Sequence, residues 1–438
     1  MTDLSRRAAL LTGLASTMLA ATAADRASAK AAAGFAFPSD FIWGAATSGH
    51  QVEGNDVNSD MWFLEHVKNT PFKEPVGDAD NQYHLYEQDI ALLAALGLKA
   101  YRFSLEWSRI EPAKGEFSAA EMQHYVNVAR ACQKHGVAPV VTFNHYAVPV
   151  WFAASGGFEN PESSDLFARF CEYAVRFIGP YTSLAATFNE PQLGRVLNWM
   201  LPDFIVAQMR ASMAEAAREA ASNNFSSIQF GDQDKMLPNL LSAHKKGYEA
   251  IKAGPGDFPV GYTVAIHDVQ GVGENNRAAE MQADCYGHWF DGSNPTDFIG
   301  VQNYSRIRVD ANGPMKPPEG AELNQQGEEF YPASLGNAIR YTYAQTGKPI
   351  YVTENGLATE NDQRRCAYIP QALEGLAACL KDGIPVKAYI HWSLLDNFEW
   401  VFGYGPKLGI VAVDRATQKR TPKPSAYLLG KIARANRI

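Results

Sequence analysis

The chain has 438 residues, 46% hydrophobic and 20% charged, with 35 glycines and 24 prolines; that excludes a disordered, collagen-like or coiled-coil protein, and the length suits one large α/β barrel as well as three smaller domains. A formal net charge of −8 argues against nucleic acid as a partner, because phosphate backbones are bound by basic surfaces. Five cysteines, Cys132, Cys171, Cys285, Cys366 and Cys379, are odd in number and form no CxxC pair, so they read as small buried hydrophobes, with no disulfide framework or structural zinc site.

Residues 1–29 read as an export signal. Ser5-Arg6-Arg7 leads into a weakly apolar run, 8–24, and small residues follow at Ala27-Ser28-Ala29, the pattern of a twin-arginine (Tat) leader. Thr12, Gly13, Ser16 and Thr17 interrupt the run, and no later segment has the roughly 18 consecutive apolar residues of a spanning helix. The expectation is a periplasmic or secreted protein with no stable membrane insertion after processing, its mature chain being one domain, 30–438.

Beyond residue 40, β-branched and aromatic runs fall at 41–47, 98–107, 137–145, 184–190, 259–267, 298–304, 349–354 and 386–395. Several are apolar throughout, as strands covered on both faces should be. Helical patterns lie between or after them, at 81–96, 118–135, 164–178, 237–252, 275–290, 335–345, 364–381 and 424–433. In the first, Tyr83, Tyr86, Ile90, Leu93 and Leu96 share one face. Strict alternation of this kind predicts a single (β/α)8 TIM barrel. Segment 192–235 looks helical and able to cover a site; segment 306–332, rich in Gly, Pro and Asn, reads as a loop.

Barrel enzymes do their chemistry at the carboxyl ends of the strands. The fourth run ends Thr187-Phe188-Asn189-Glu190-Pro191 and the seventh Tyr351-Val352-Thr353-Glu354-Asn355-Gly356. Either glutamate alone would read as a strand-end carboxylate paired with an arginine. Together, on nearly opposite sides of the ring, they suit glycosidic cleavage, in which one carboxylic acid protonates the leaving oxygen and one carboxylate attacks the anomeric carbon.

At these residues the chain resembles glycoside hydrolase family 1, the β-glucosidase and β-galactosidase family. The resemblance runs from about residue 37 to 426 and rests on Phe41-Ile42-Trp43-Gly44-Ala45-Ala46-Thr47, Tyr101-Arg102-Phe103-Ser104, the two glutamate motifs, and Trp392-Ser393-Leu394-Leu395-Asp396-Asn397-Phe398-Glu399-Trp400, in family order. It implies Glu190 as acid/base and Glu354 as nucleophile. Arg102 and Tyr304 would attend the nucleophile. Asn189 would meet the sugar 2-hydroxyl; Gln51, His145, Glu399 and Trp400 would bind other hydroxyls, and Trp392 would be the stacking platform. A carboxylate at 399 disfavours phosphorylated sugars.

The chain departs from the family pattern at His50, at Tyr146-Ala147, at Ser305, at Lys407-Leu408 and in a short 288–297 stretch; none of these is expected to touch Glu190 or Glu354. There is no HxH, HExxH, GxGxxG or P-loop pattern, so neither metal nor cofactor is expected. The reading is a retaining β-glycosidase acting on unphosphorylated β-glucosides or related small glycosides and oligosaccharides. The alternatives are a transglycosylase using the same glycosyl-enzyme and a catalytically silent carbohydrate-binding barrel; retention of both glutamates disfavours the last.

Overall fold

The computed structural model describes residues 34–438, so the expected export signal lies outside the described residues. The apolar runs form parallel strands β1 (Ile42–Ala46), β2 (Ala100–Ser104), β3 (Ala138–Asn144), β4 (Leu184–Asn189), β5 (Val260–Ala265), β6 (Phe298–Gln302), β7 (Ile350–Glu354) and β8 (Val386–Trp392). They close into a barrel in which each strand pairs with its neighbours in sequence and β1 pairs with β8. Every residue of β2, β4, β5 and β6 is buried, because helices cover the outside while side chains fill the inside. That is why these runs carry no polar alternation.

The helices that fall in the expected windows are α1 (Gln82–Leu96), α2 (Ala119–Lys134), α3 (Ser163–Ile178), α4 (Gln233–Ala253), α5 (Ala278–Gln282), α6 (Ser334–Thr346), α7 (Asp362–Lys381) and α8 (Pro424–Ala435). Their starts follow side-chain caps where the sequence supplies them: Ser118 accepts from the Glu121 N–H and Asn361 from that of Gln363, satisfying donors a helix start leaves free. The larger core lies between barrel and helices. A smaller one, including Ala100, Val140, Leu184, Phe298 and Ala388, plugs the barrel. Two or four residues further along, the same strand faces turn polar: Arg102 follows Ala100, Thr142 follows Val140 and Gln302 follows Phe298. The apolar plug therefore supports a polar layer at the carboxyl end.

Several elements differ from expectation. The run 98–107 yields only Ala100–Ser104, because Trp107–Ile110 turns helical. Helix α4 begins at Gln233 rather than 237, since Asp232 accepts from the Asp234 and Lys235 N–H groups. Window 275–290 holds short α5 and then a π-helical turn, Ala283–Gly287; in that turn Asp284 is bound by Arg195 and Trp199. Segment 192–235 is helical as expected, with helices Leu193–Met200 and Asp203–Glu219. Segment 306–332 is not wholly loop: Arg306–Asp310 and Gly313–Pro314 join Asp268–Gly271 in a small sheet, with Ile307 and Val309 buried at alternate positions. The five cysteines are free, Cys366 only half-buried. Among the described residues no helix is long and apolar enough to cross a membrane.

Candidate active site

The polar layer is built around Arg102, which is fully buried. A buried guanidinium is tolerable only when its donors are matched by acceptors. Arg102 donates to Glu354 Oε1 at 2.6 Å, to Asn189 Oδ1 at 2.6 Å and to Thr142 Oγ1 at 3.0 Å. Gln302 Nε2 reaches the same two acceptors, Asn189 Oδ1 and Glu354 Oε1, each at 2.8 Å. Tyr304 donates its hydroxyl to Glu354 Oε2 at 2.5 Å. The Thr263 hydroxyl adds a third donor to Asn189 Oδ1 at 3.2 Å. With its oxygen so occupied, Asn189 presents its Nδ2 amide as the donor left for a ligand.

Strand irregularities aim the two glutamates. The β4–β5 register shifts between Ala186 and Asn189, and the β6–β7 register between Val352 and Glu354. Such breaks re-direct side chains at barrel rims. Beyond β7, the loop at Gly356 passes so close to β8 that a Cβ there would lie 2.0 Å from the Trp392 carbonyl oxygen. Glycine is needed for that approach.

The two carboxyls are electrostatically unequal. Burial raises both. Glu190 is held well above the usual carboxylate range, first by burial and then by the negative charge of Glu354. At Glu354 the Arg102 guanidinium and the Tyr304 hydroxyl oppose the burial effect. The pair titrates together, and the proton it keeps near neutral pH belongs on Glu190. A protonated acid thus accompanies a carboxylate held ionised by a guanidinium, the division of labour that acid-assisted nucleophilic displacement requires.

The remaining residues assigned from sequence surround this pair. His145 stacks at a tilt of 27° on Trp392, 5.7 Å between ring centroids, and at 19° and 6.2 Å on Trp400. Burial and the Arg102 charge keep its imidazole well below its usual pKa, so it is neutral and able to exchange hydrogen bonds with hydroxyls. Gln51 Nε2 donates to the Phe398 carbonyl at 2.7 Å and reaches Glu399 Oε2 at 3.5 Å. Glu399 is half-buried, and burial reinforced by Glu354 pushes its carboxyl up to about 8. All ten assigned residues therefore gather at the carboxyl end of the barrel.

Sequence reasoning missed three residues. Gln302 stands in the strand run 298–304 yet was given no role; its place two positions after Gly300 and four after Phe298, at a strand end, was a usable signal. Gln326, in the segment read as loop, donates to Glu399 Oε1 at 3.2 Å, and nothing local announced it. Tyr146 corrects an expectation, since one departure from the family pattern does reach a catalytic candidate: its hydroxyl donates to Glu190 Oε2. Of the other histidines, His50 stacks on Trp400 at 5.7 Å and 8° and pairs with Glu65 at 2.8 Å, bracing the site from behind. Buried His391 approaches the Tyr389 hydroxyl at 3.2 Å. Among the described residues no group of three or more His, Cys, Asp or Glu side chains is placed to hold a metal ion.

Comparison with known proteins agrees with this geometry. The model of the Glycosyl hydrolase family 1 matches residues 34–294 and 293–438. The chain is similar to Beta-glucosidase A of Acetivibrio thermocellus, with 27% identity covering 91% of this chain and 98% of that protein. Among solved structures it is similar to the apo form of a beta-glucosidase designated 1317, with 46% identity, TM-score 0.88 and coverage of 90% and 98%. It is also similar to beta-glycosidase BGL167, with 47% identity, TM-score 0.87 and coverage of 91% and 97%.

Proposed function

The chain belongs to glycosyl hydrolase family 1 and is a retaining β-glycosidase acting on small sugar substrates; we propose that it hydrolyses unphosphorylated β-glucosides or closely related β-glycosides outside the cytoplasm. The observation that carries this reading is the unequal carboxyl pair. Glu354, ionised beside Arg102 and Tyr304, attacks the anomeric carbon while Glu190 protonates the departing oxygen. Ester formation removes the charge on Glu354, and with it one cause that holds Glu190 up. Glu190, left as a carboxylate once its proton has gone with the leaving group, then stays ionised and takes a proton from the water that cleaves the ester. The Asn189 amide donates to the 2-hydroxyl, where hydrogen bonds strengthen in the transition state.

Glu399 supports an unphosphorylated substrate. Its partners are the amides of Gln51 and Gln326, and among the described residues no lysine or arginine pairs with it. A phosphate there would find no cation to pair with, and it would be repelled by the Glu399 carboxylate wherever that group ionises. The leader reading, 1–29, supports export by the Tat route to the periplasm or medium. The substrate reading is tested on paired aryl β-glucosides with and without a 6-phosphate, with the first-formed product anomer followed by NMR. Turnover of the plain glucoside to the β-anomer is expected. Preference for the phosphorylated substrate, or an α-anomer, would overturn it.

A further inference from the structure

Tyr146 lies just beyond β3, and none of the roles assigned above uses it. Strands β3 and β4 pair with Asn144 opposite Phe188, so the two chains bring Tyr146 and Glu190 out side by side. Both are held at positive φ, +66° and +43°, as is Trp400 at +47°. Residues other than glycine seldom occupy this region because of the strain it costs them, and such strain gathers where function demands a fixed geometry. The Tyr146 ring is only 3% exposed. It packs edge-on against Trp400 and against His145, each at 5.1 Å, which fixes the direction of its hydroxyl.

That hydroxyl donates to Glu190 Oε2. Among the described residues it is the only side chain hydrogen-bonded to the Glu190 carboxyl, whereas Glu354 has three such partners, Arg102, Gln302 and Tyr304. We infer that Tyr146 is a positioning residue for the proton donor: it ties down Oε2 of Glu190 and leaves Oε1 to face the leaving oxygen. The inference rests on Glu190 being the acid/base. A phenol that donates to a carboxylate also favours its ionised form. Tyr146 and Arg102 thus oppose burial and the charges of Glu354 and Glu399, which push the same carboxyl up. Tyr304 faces the pair from the Glu354 side. Tyr146 therefore keeps the acid strong enough to give up its proton and lets it return as a base.

The test compares the pH dependence of kcat/KM in wild type and Tyr146→Phe, on an alkyl glucoside and on a 2,4-dinitrophenyl glucoside whose departure needs no acid. Losing one hydrogen bond to a charged group should move the alkaline limb upward by about one pH unit. Alkyl-glucoside turnover should fall about tenfold while glycosylation by the dinitrophenyl substrate falls less than about threefold. In a Glu190→Gln background, with azide as acceptor, adding Tyr146→Phe should change dinitrophenyl-glucoside turnover by less than about twofold, since the group it positions is gone. An unmoved alkaline limb, or an equal cost in both backgrounds, would overturn the inference. If Glu190→Gln alone harms both substrates equally, it is the acid/base assignment that fails. Should Tyr146→Phe not fold, 3-fluorotyrosine at position 146 keeps the shape with a stronger donor, and the limb should move downward; a limb that stays put overturns the inference.

Discussion

At the residue scale, the site works by matching each buried charge to a defined set of partners. Gln302 shows this most economically, because one amide nitrogen holds both Asn189 and Glu354. Its Oε1 is buried without a partner, so Gln302→Leu removes the donor at little other cost. The variant should lose about tenfold or more in kcat/KM on an aryl β-glucoside, as expected for a hydrogen bond to a charged group. On the matching 2-deoxyglucoside the loss should be smaller, since that substrate makes no contact through Asn189; equal losses would mean that Gln302 does not orient Asn189. The residues legible beforehand were those whose chemistry is written in a motif, such as Glu190, Glu354 and Arg102. Tyr146 and Gln326 were not legible as contacts. The first depends on a left-handed backbone turn and the second on how a long excursion folds back over the barrel mouth. Neither leaves a local pattern.

At the scale of elements, the barrel strands were readable because burial on both faces makes them apolar from end to end. Their ends were not. The run 98–107 continues past Ser104 only because Leu105 and Trp107 are buried where the chain turns into helix, and hydrophobicity does not distinguish the two. Helix α4 extends four residues further than its apolar pattern because an aspartate cap, not periodicity, sets its start. The small sheet inside 306–332 was hidden by flanking Gly, Pro and Asn residues. The proposed leader, 1–29, lies outside the described residues, and its reading rests on Arg6-Arg7. Replacing both with lysine should leave the enzyme in the cytoplasmic fraction of a Tat-competent bacterial host, measured by β-glucosidase activity after cell fractionation. Unchanged export would reject the Tat route.

At the scale of the whole molecule, one consequence of building a polar site into a barrel is a store of buried carboxyls. Asp60 accepts from the Val148 N–H through Oδ1 at 2.9 Å, while its Oδ2 is buried without a partner; burial pushes its carboxyl up to about 7. A carboxyl raised in the folded state stabilises the fold fully below its unfolded pKa of about 3.9 and loses that contribution as pH rises toward 7. The thermal midpoint should therefore decline from about pH 5 to about pH 8, and decline less in Asp60→Asn. An unchanged decline would show that Asp60 does not titrate in the folded protein. The barrel's larger accomplishment is to bring residues from opposite sides of the ring to one acid–nucleophile pair. That claim is tested most directly by inactivation with a 2-deoxy-2-fluoro β-glucoside carrying a good leaving group, followed by digestion and mass spectrometry of the labelled peptide. The account predicts one sugar per chain, esterified to Glu354; a label on Glu190 or on any other residue would contradict it.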